Sequence, residues 1–417
     1  MNNRLKLCVL LVITLAFSAV LFLLSYYGDN KYTAVGPQPL AGVLVLTEQE
    51  LEENNFVYLI DDWEIFRDRL LTPEDFQTQL LLPDEYVFIG QYGGFEGHSG
   101  SHSSPHGSAT YRLNISVSGA PDFYSLEIPE IYSAYRIYIN GMLAEQMVEP
   151  SPDGYYAETG MRRLSFYAAN RIEIVVQVTD YDHFYSDMVY PSAFGKAAFV
   201  DRVLGMRLAI RTAAIVLAVV VGLFYTAVWL ILRLNKNHTL NLALYYAALC
   251  AFYALYISYP VIKTFFDVSS LWYKIEALSL PLLLLVITGV QLRITDISGL
   301  AAKIMCILGI FVCFWSLCVP LAMGDSLLLM IAHSRFIAAY CWICAAFLLL
   351  SSARCVLRGV SHSNIVLAGS VIFGASLLMD RLLPLFEPIY FGWFSEIAGG
   401  FYVIAISGVM ASSVAAD

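Results

Sequence analysis

Apolar and polar positions fall into two unlike patterns along this chain. Beyond residue 201, long apolar runs recur seven times, at 208–232, 240–260, 272–292, 303–323, 327–350, 364–380 and 393–414. A hydrocarbon layer about 30 Å thick needs about 20 mostly apolar residues to cross as helix, because lipid offers no partner for free backbone N–H and C=O groups. The runs therefore predict an all-α seven-helix transmembrane bundle over 202–417. The sixth is the shortest: Ile365 to Met379 reaches only about 22 Å at about 1.5 Å per residue, and Ser361, His362 and Ser363 must complete it. A further run, Leu7 to Leu24, makes residues 1–25 a signal anchor or signal peptide. Ala16 and Ser18 offer a small-x-small cleavage site, but the apolar run continues past it, which favours an anchor.

Between Gly42 and Phe199 the period changes to two. Tyr111–Val117, Tyr135–Ile139 and Ile172–Val178 read as strands with one buried face. Asn140-Gly141 joins one of them to Met142–Ala144 and predicts a two-residue turn with positive φ at both central positions. Short strands punctuated by clusters such as Pro150-Ser-Pro-Asp-Gly154 predict an all-β jelly roll or β-sandwich over residues 26–201, with Trp63, Phe66, Tyr111 and Tyr135 in its core.

Charge follows the same division. Residues 26–201 hold 26 Asp/Glu against 9 Lys/Arg, a net of −17, and the remainder holds 8 against 15, a net of +7. An acidic domain of that size repels nucleic acid and anionic headgroups. Arg4, Lys6, Arg233, Lys236, Arg293, Lys303, Arg354 and Arg358 fall on one side of the bundle, against Lys263, Lys274 and Arg381 in loops on the other. The positive-inside bias then sets the β domain outside and Asp417 in the cytoplasm. Arg202, Arg207 and Arg211 run against it, so the first bundle helix is expected to project beyond the bilayer towards the β domain, or these side chains snorkel to headgroups. All eight cysteines lie in or beside apolar runs, and Cys341 and Cys344, though spaced as CxxC, read as small packing residues.

Several blocks resemble a known family. Trp63-Glu-Ile-Phe66, Leu70-Leu-Thr-Pro-Glu-Asp-Phe76, Ala109-Thr-Tyr-Arg112, Ile128 through the segment Ser133-Ala-Tyr-Arg-Ile-Tyr-Ile-Asn-Gly141, and Ile174-Val-Val-Gln-Val178 stand in the order and spacing of bacterial seven-transmembrane receptors with diverse intracellular signalling modules. Gly222-Leu-Phe-Tyr-Thr-Ala-Val-Trp-Leu230 in the first bundle helix extends the likeness over most of the chain. The resemblance implies an extracellular jelly roll related to carbohydrate-binding modules, and a bundle that passes a signal to a cytoplasmic output module or partner. A dimer is compatible with it. Thr179-Asp-Tyr181 departs from the Asn-Phe pair common there, and no output domain is encoded up to Asp417.

Chemistry-bearing residues fall in three groups. His98, His102 and His106, with Glu96 nearby, lie in a Gly/Ser-rich loop that could wrap zinc or another divalent metal; no other cofactor is expected. Tyr155, Tyr156, Tyr181, Phe184 and Tyr185 lie in turns and are the candidate contacts for an extracellular small molecule or glycan, whose C–H faces stack on aromatic rings. Glu276, His333, Arg335, Asp380 and Glu396 are costly inside a membrane and are expected to pair, Arg335 with Glu276 or Glu396, either fixing helix packing or flooring a pocket. No GxSxG, HExxH or phosphate-cradling glycine loop appears, so the expected function is a membrane signalling receptor rather than an enzyme. A transporter, for which Pro281 is the one strong helix breaker deep in a span, and a glycan-modifying membrane protein are the alternatives.

Overall fold

The computed structural model describes residues 2–34, 36–53, 56–90, 106–150, 156, 158–181, 187–234, 241–322, 327–383 and 385–416. Helix α1 (Asn3–Gly28) leads into the β region: β1 (Val43–Leu46), α2 (Glu48–Glu53), β2 (Phe56–Leu59), β3 (Trp63–Arg67), α3 (Pro73–Thr78), β4 (Glu85–Val87), β5 (Gly107–Val117), β6 (Asp122–Ile128), β7 (Ala134–Ile139), β8 (Met142–Gln146), β9 (Glu158–Thr159), β10 (Arg162–Ala168), β11 (Arg171–Asp180) and β12 (Ser192–Lys196). One sheet runs β4-β3-β5-β11-β7-β8, with β1 parallel to the second half of β5; the other runs β10-β6-β12-β2. Their facing sides share one apolar core. Ile172, Ile174, Val176 and Val178 on alternate positions of β11 belong to the same cluster as Tyr124, Leu126 and Phe194 from the opposite sheet. Burial of these β-branched and aromatic faces is what holds two sheets without a disulfide.

β11 is buried on its second face as well, which simple alternation does not anticipate. The segment around α3 covers it: Gln177 Nε2 donates to Leu71 O at 2.9 Å, and Thr110 Oγ1 on neighbouring β5 donates to Arg69 O at 2.7 Å. The expected turn is present, with Asn140 at φ 49° and Gly141 at φ 84° between β7 and β8. Trp63, Phe66, Tyr111 and Tyr135 are all core residues.

The chain passes from β12 directly into α4 (Ala197–Leu234), and continues through α5 (Asn241–Phe265), the short strand β13 (Val268–Ser269), α6 (Ser270–Ile294), α7 (Leu300–Ala322), α8 (Leu327–Arg358), α9 (Ser363–Leu382) and α10 (Phe394–Ala416). Among the described residues seven helices, α1 and α4 to α9, are long and apolar enough to cross a membrane, and α10 adds a shorter apolar stretch. The architecture is that of a multi-pass membrane protein with a β domain at one end. α1 lies against this bundle: Leu7, Leu10 and Leu11 pack on Val356, Leu367 and Val371 of α8 and α9, and Phe22 packs on Phe394. Gly369 lets α9 approach α10, since a Cβ there would stand 3.0 Å from Ala405 Cβ. Gly399 and Gly400 give room to Tyr253 of α5. Cys341 and Cys344 are buried packing residues with free thiols.

Candidate functional site at the junction of the two domains

The β domain and the bundle meet through buried charge. Lys31, 1% exposed just past α1, forms an ion pair with Glu387 of the α9–α10 loop at 2.6 Å. Arg207 of α4 pairs with Glu127 of β6 and also donates from Nε to Ile389 O at 2.6 Å. Lys263 of α5, fully buried, donates to Glu130 Oε2, just past β6, at 2.7 Å and pairs with Glu276 of α6 at 2.6 Å. Arg211 stands 3.4 Å from Glu396 of α10. Arg207 with Glu127 and Lys263 with Glu130 tie bundle helices to the β domain, while Arg211 with Glu396 and Lys263 with Glu276 join those helices to their neighbours, so a shift of the sandwich is resisted at two charged seams anchored in the bundle.

Backbone pairing reinforces the charges. β9 and β13 form a small antiparallel ladder between the β domain and the α5–α6 turn, extended by Met161 N donating to Lys263 O at 2.9 Å. Arg162 pairs with Asp267 in that turn. On the opposite side Asp29 accepts Tyr390 N at 2.7 Å and Phe391 N at 2.9 Å, binding the exit of α1 to the α9–α10 loop. Burial pushes the Asp29 carboxyl above its usual range, against the pull of those two N–H groups and of Arg207 and Arg211. Burial also raises Glu387, which Lys31 partly offsets. For Glu127 burial again pushes up, but Arg207 and then Lys31 outweigh it and hold the carboxyl below its ordinary value.

A cavity of about 470 Å³ opens within this junction, between β10, α4 and α5. Arg162 and Arg163 enter from the β10 side, Arg207 and Arg211 from α4, and Pro260 and Val261 from α5. Asp201 and Glu127 are the acidic members of the wall.

The residues singled out by sequence land unevenly. Glu276, Asp380 and Glu396 lie in helices at the end of the bundle nearest the sandwich, and none of them pairs with Arg335. Arg335 is exposed on α8 and makes no ion pair among the described residues; Glu276 and Glu396 take Lys263 and Arg211 instead. Asp380 caps α10 by accepting Phe394 N and Ser395 N, both at 2.9 Å. His333 is half-buried on α8. Lys263, assigned by sequence to a loop, is inside α5, which runs through Pro260 to Phe265. Tyr156 and Tyr181 are described and exposed, at 59% and 37%; Tyr155, Phe184 and Tyr185 lie outside the described residues, as do His98 and His102. His106 stands just before β5. Among the described residues no group of three or more His, Cys, Asp or Glu is arranged to hold a metal ion. Lys31, Glu127 and Glu130 were not anticipated as site residues.

No protein-family model matches the chain, and no curated protein matches it. Among solved structures, a GH2 beta-galacturonidase from Eisenbergiella tayi bound to galacturonate aligns at TM-score 0.24 and 10% identity, over 34% of this chain and 24% of that one. A beta-glucosidase from Kluyveromyces marxianus in complex with glucose aligns at TM-score 0.20 and 10% identity, over 46% of this chain and 29% of that one. The chain thus spans about a quarter of the length of these enzymes, and likeness at this level carries no argument about function.

Proposed function

We propose that the chain is a membrane signalling receptor, in which an extracellular sandwich of jelly-roll type captures a ligand and its response passes through the helical bundle to a cytoplasmic output module or partner. The observation that carries this reading is α4. It starts immediately after β12, extends for 38 residues, and is gripped near its start by Arg207 on Glu127 and Arg211 on Glu396. At about 1.5 Å per residue it is roughly 57 Å long, well beyond the bilayer, so one rigid rod belongs to both regions. A motion of β6 or β12 has no slack loop in which to dissipate before it reaches the bundle.

The ligand class that fits the exposed Tyr156 and Tyr181 is carbohydrate-like, since such rings offer flat apolar faces beside polar tips. Ligand binding shifts the bundle only if its affinity differs between two arrangements of the junction. The reading is tested with the full chain in lipid nanodiscs on a glycan array, followed by a fusion that carries a cyclase reporter after Asp417. A captured glycan is expected to change cyclase output. Unchanged output from a folded, glycan-bound fusion would favour adhesion or transport.

A further inference from the structure

We propose that the cavity between β10, α4 and α5 is a binding site for an amphiphilic anion, a phosphate or carboxylate carried on a compact apolar body. Its volume, about 470 Å³, falls in the usual range of small-molecule sites, about 300–1,000 Å³. Four arginines and two carboxylates line it, beside the apolar side chains of Leu204, Leu208, Pro260 and Val261; the acidic partners of Arg162 and Arg211, Asp267 and Glu396, stand outside that lining. Arg207 and Arg211 lie four residues apart, and so on one face of α4. They are only 7% and 8% exposed.

Each of these two arginines has an acidic partner, yet neither is satisfied by it. Arg207 Nη2 and Arg211 Nε and Nη1 are buried without a hydrogen-bond partner; the 3.4 Å approach of Arg211 to Glu396 is an ion pair that lacks hydrogen-bond alignment. Buried donors left unmade are costly, and an oxyanion is the acceptor that guanidinium forks pair with best. A cation offers these donors no acceptor, and a neutral hydroxyl accepts from a guanidinium more weakly than an oxyanion does. Position explains the apolar requirement. The wall is built from α4 residues 201–211 and α5 residues 260–264, just where the long apolar run of α4 begins, so the anionic group meets the arginines while its body lies along Leu204 and Leu208. An anionic lipid headgroup and a soluble amphiphilic acid share this chemistry. The site does not depend on the receptor reading, because its occupancy is measured without any output.

The test uses the full chain in phosphatidylcholine nanodiscs, titrated with hexyl phosphate while the thermal unfolding midpoint is followed; hexanol and hexyltrimethylammonium are the controls. Hexyl phosphate is expected to raise the midpoint in a saturable way and the controls are not. Two variants tie the effect to the cavity. Gly205 lines it on α4, and a Cβ added there meets nothing within 4 Å, so Gly205→Phe fills open space and should abolish the response, read as the shift from that variant's own ligand-free midpoint. Asp201→Asn removes one wall carboxylate and should tighten binding about threefold to tenfold. Native mass spectrometry from nanodiscs that also contain phosphatidylglycerol then separates the sources. Retention of that lipid by the wild type and its loss from Gly205→Phe identifies a lipid headgroup; a hexyl phosphate response without retained lipid identifies a soluble acid. Neither signal from the wild type, equal stabilisation by the cationic control, or weaker binding by Asp201→Asn would overturn the assignment.

Discussion

The two ends of the bundle are built from different chemistry. At the end that meets the sandwich, Lys31, Arg207, Arg211 and Lys263 are all buried, and each is paired with a glutamate on another element. At the far end Arg233, Lys303, Arg354 and Arg358 are exposed, Arg293 is exposed and lies 5.3 Å from the centre of the Tyr245 ring, and none of them forms an ion pair among the described residues. The polar link near that end is neutral. Gln291 of α6 donates to Ser351 of α8 at 3.0 Å and accepts from Tyr402 of α10 at 3.1 Å. Paired buried charge is demanding of geometry, so it specifies one docking arrangement of the sandwich; exposed cations demand no particular protein neighbour. One end is a joint between two folded regions, and the other has the character of a face turned to water and headgroups.

The sharpest way to break this contrast is at Lys263. Lys263→Met removes one ammonium and leaves Glu130 and Glu276 without their cation. Breaking a buried pair in this manner costs about 3–5 kcal/mol, mostly from the carboxylates left behind. Unfolding of the full chain in detergent should therefore begin at markedly lower temperature. The triple change Lys263→Met, Glu130→Gln, Glu276→Gln should recover most of the loss. If the single and triple variants unfold alike, the charges are not what holds this seam.

A second expectation contrasts a paired buried carboxylate with one that lacks a strong cationic partner. Glu127 is held low by Arg207, whereas Asp187, equally buried in the β domain, is pushed by burial to about 7 from an ordinary 3.8. The signs are opposite. Glu127 contributes stability that is present above its ordinary pKa and is lost as pH falls through its depressed folded value. Asp187, raised in the folded state, favours folding below its ordinary value, and that contribution is lost as pH rises through about 7. Asp187→Asn should remove the loss of stability that Asp187 causes as pH rises from its ordinary 3.8 to about 7, and leave the fall at lower pH to Glu127. A thermal midpoint followed against pH distinguishes the two; an unchanged slope between 3.8 and about 7 in Asp187→Asn would show that Asp187 does not titrate there.

Much of the scaffold was legible in the chain because it rests on patterns with a period. The apolar runs at 208–232 and 303–323 fall within α4 and α7, and the alternation at Tyr111–Val117 lies within β5. Asn140-Gly141 needs positive φ, which few residues accept, so its turn was also readable. The junction was not, for two physical reasons. Pairing depends on the rotation of one helix against another, which spacing within a single helix does not reveal, and so Arg335 was assigned to carboxylates that Lys263 and Arg211 hold. Helix ends are set by tertiary partners too: Pro260 and Lys263 look like a loop, yet α5 continues because Lys263 finds two glutamates and β13 pairs with β9. The block Glu130-Ile-Tyr-Ser133 carried a signal all the same. Its glutamate holds Lys263, and its Ser133 Oγ donates to Asp180 at 2.9 Å.

At the far end Gln291→Leu probes the neutral counterpart of the charged seam. Interhelical hydrogen bonds of this kind average about 0.6 kcal/mol, because the partners find substitutes. Ser351 already has one, donating to Leu348 O at 3.2 Å. A loss of about 1 kcal/mol is expected, several times smaller than for Lys263→Met, and a loss as large as that of Lys263→Met would place the organising centre of the bundle at the wrong end.

The smallest effect is expected at Arg354. Its side chain is exposed on α8, and surface substitutions away from caps and cores usually stay within about 0.5 kcal/mol. Arg354→Gln in the isolated full chain should leave the unfolding midpoint where it was. Arg293→Gln should cost slightly more, up to about 1 kcal/mol, because it also removes the cation from the Tyr245 ring. The value of these near-silent variants lies in a second measurement. If the far end receives a cytoplasmic partner, as the receptor reading requires, then a variant that is silent alone must become costly once that partner is bound, since an exposed cation gains a fixed neighbour only in the complex. Pull-down of membrane proteins with wild type and Arg354→Gln, scored by loss of a partner already captured by the wild type, reads this directly. Equal capture by both would remove Arg354 from the output face and leave Arg233, Lys303 and Arg358 to be tested in the same way.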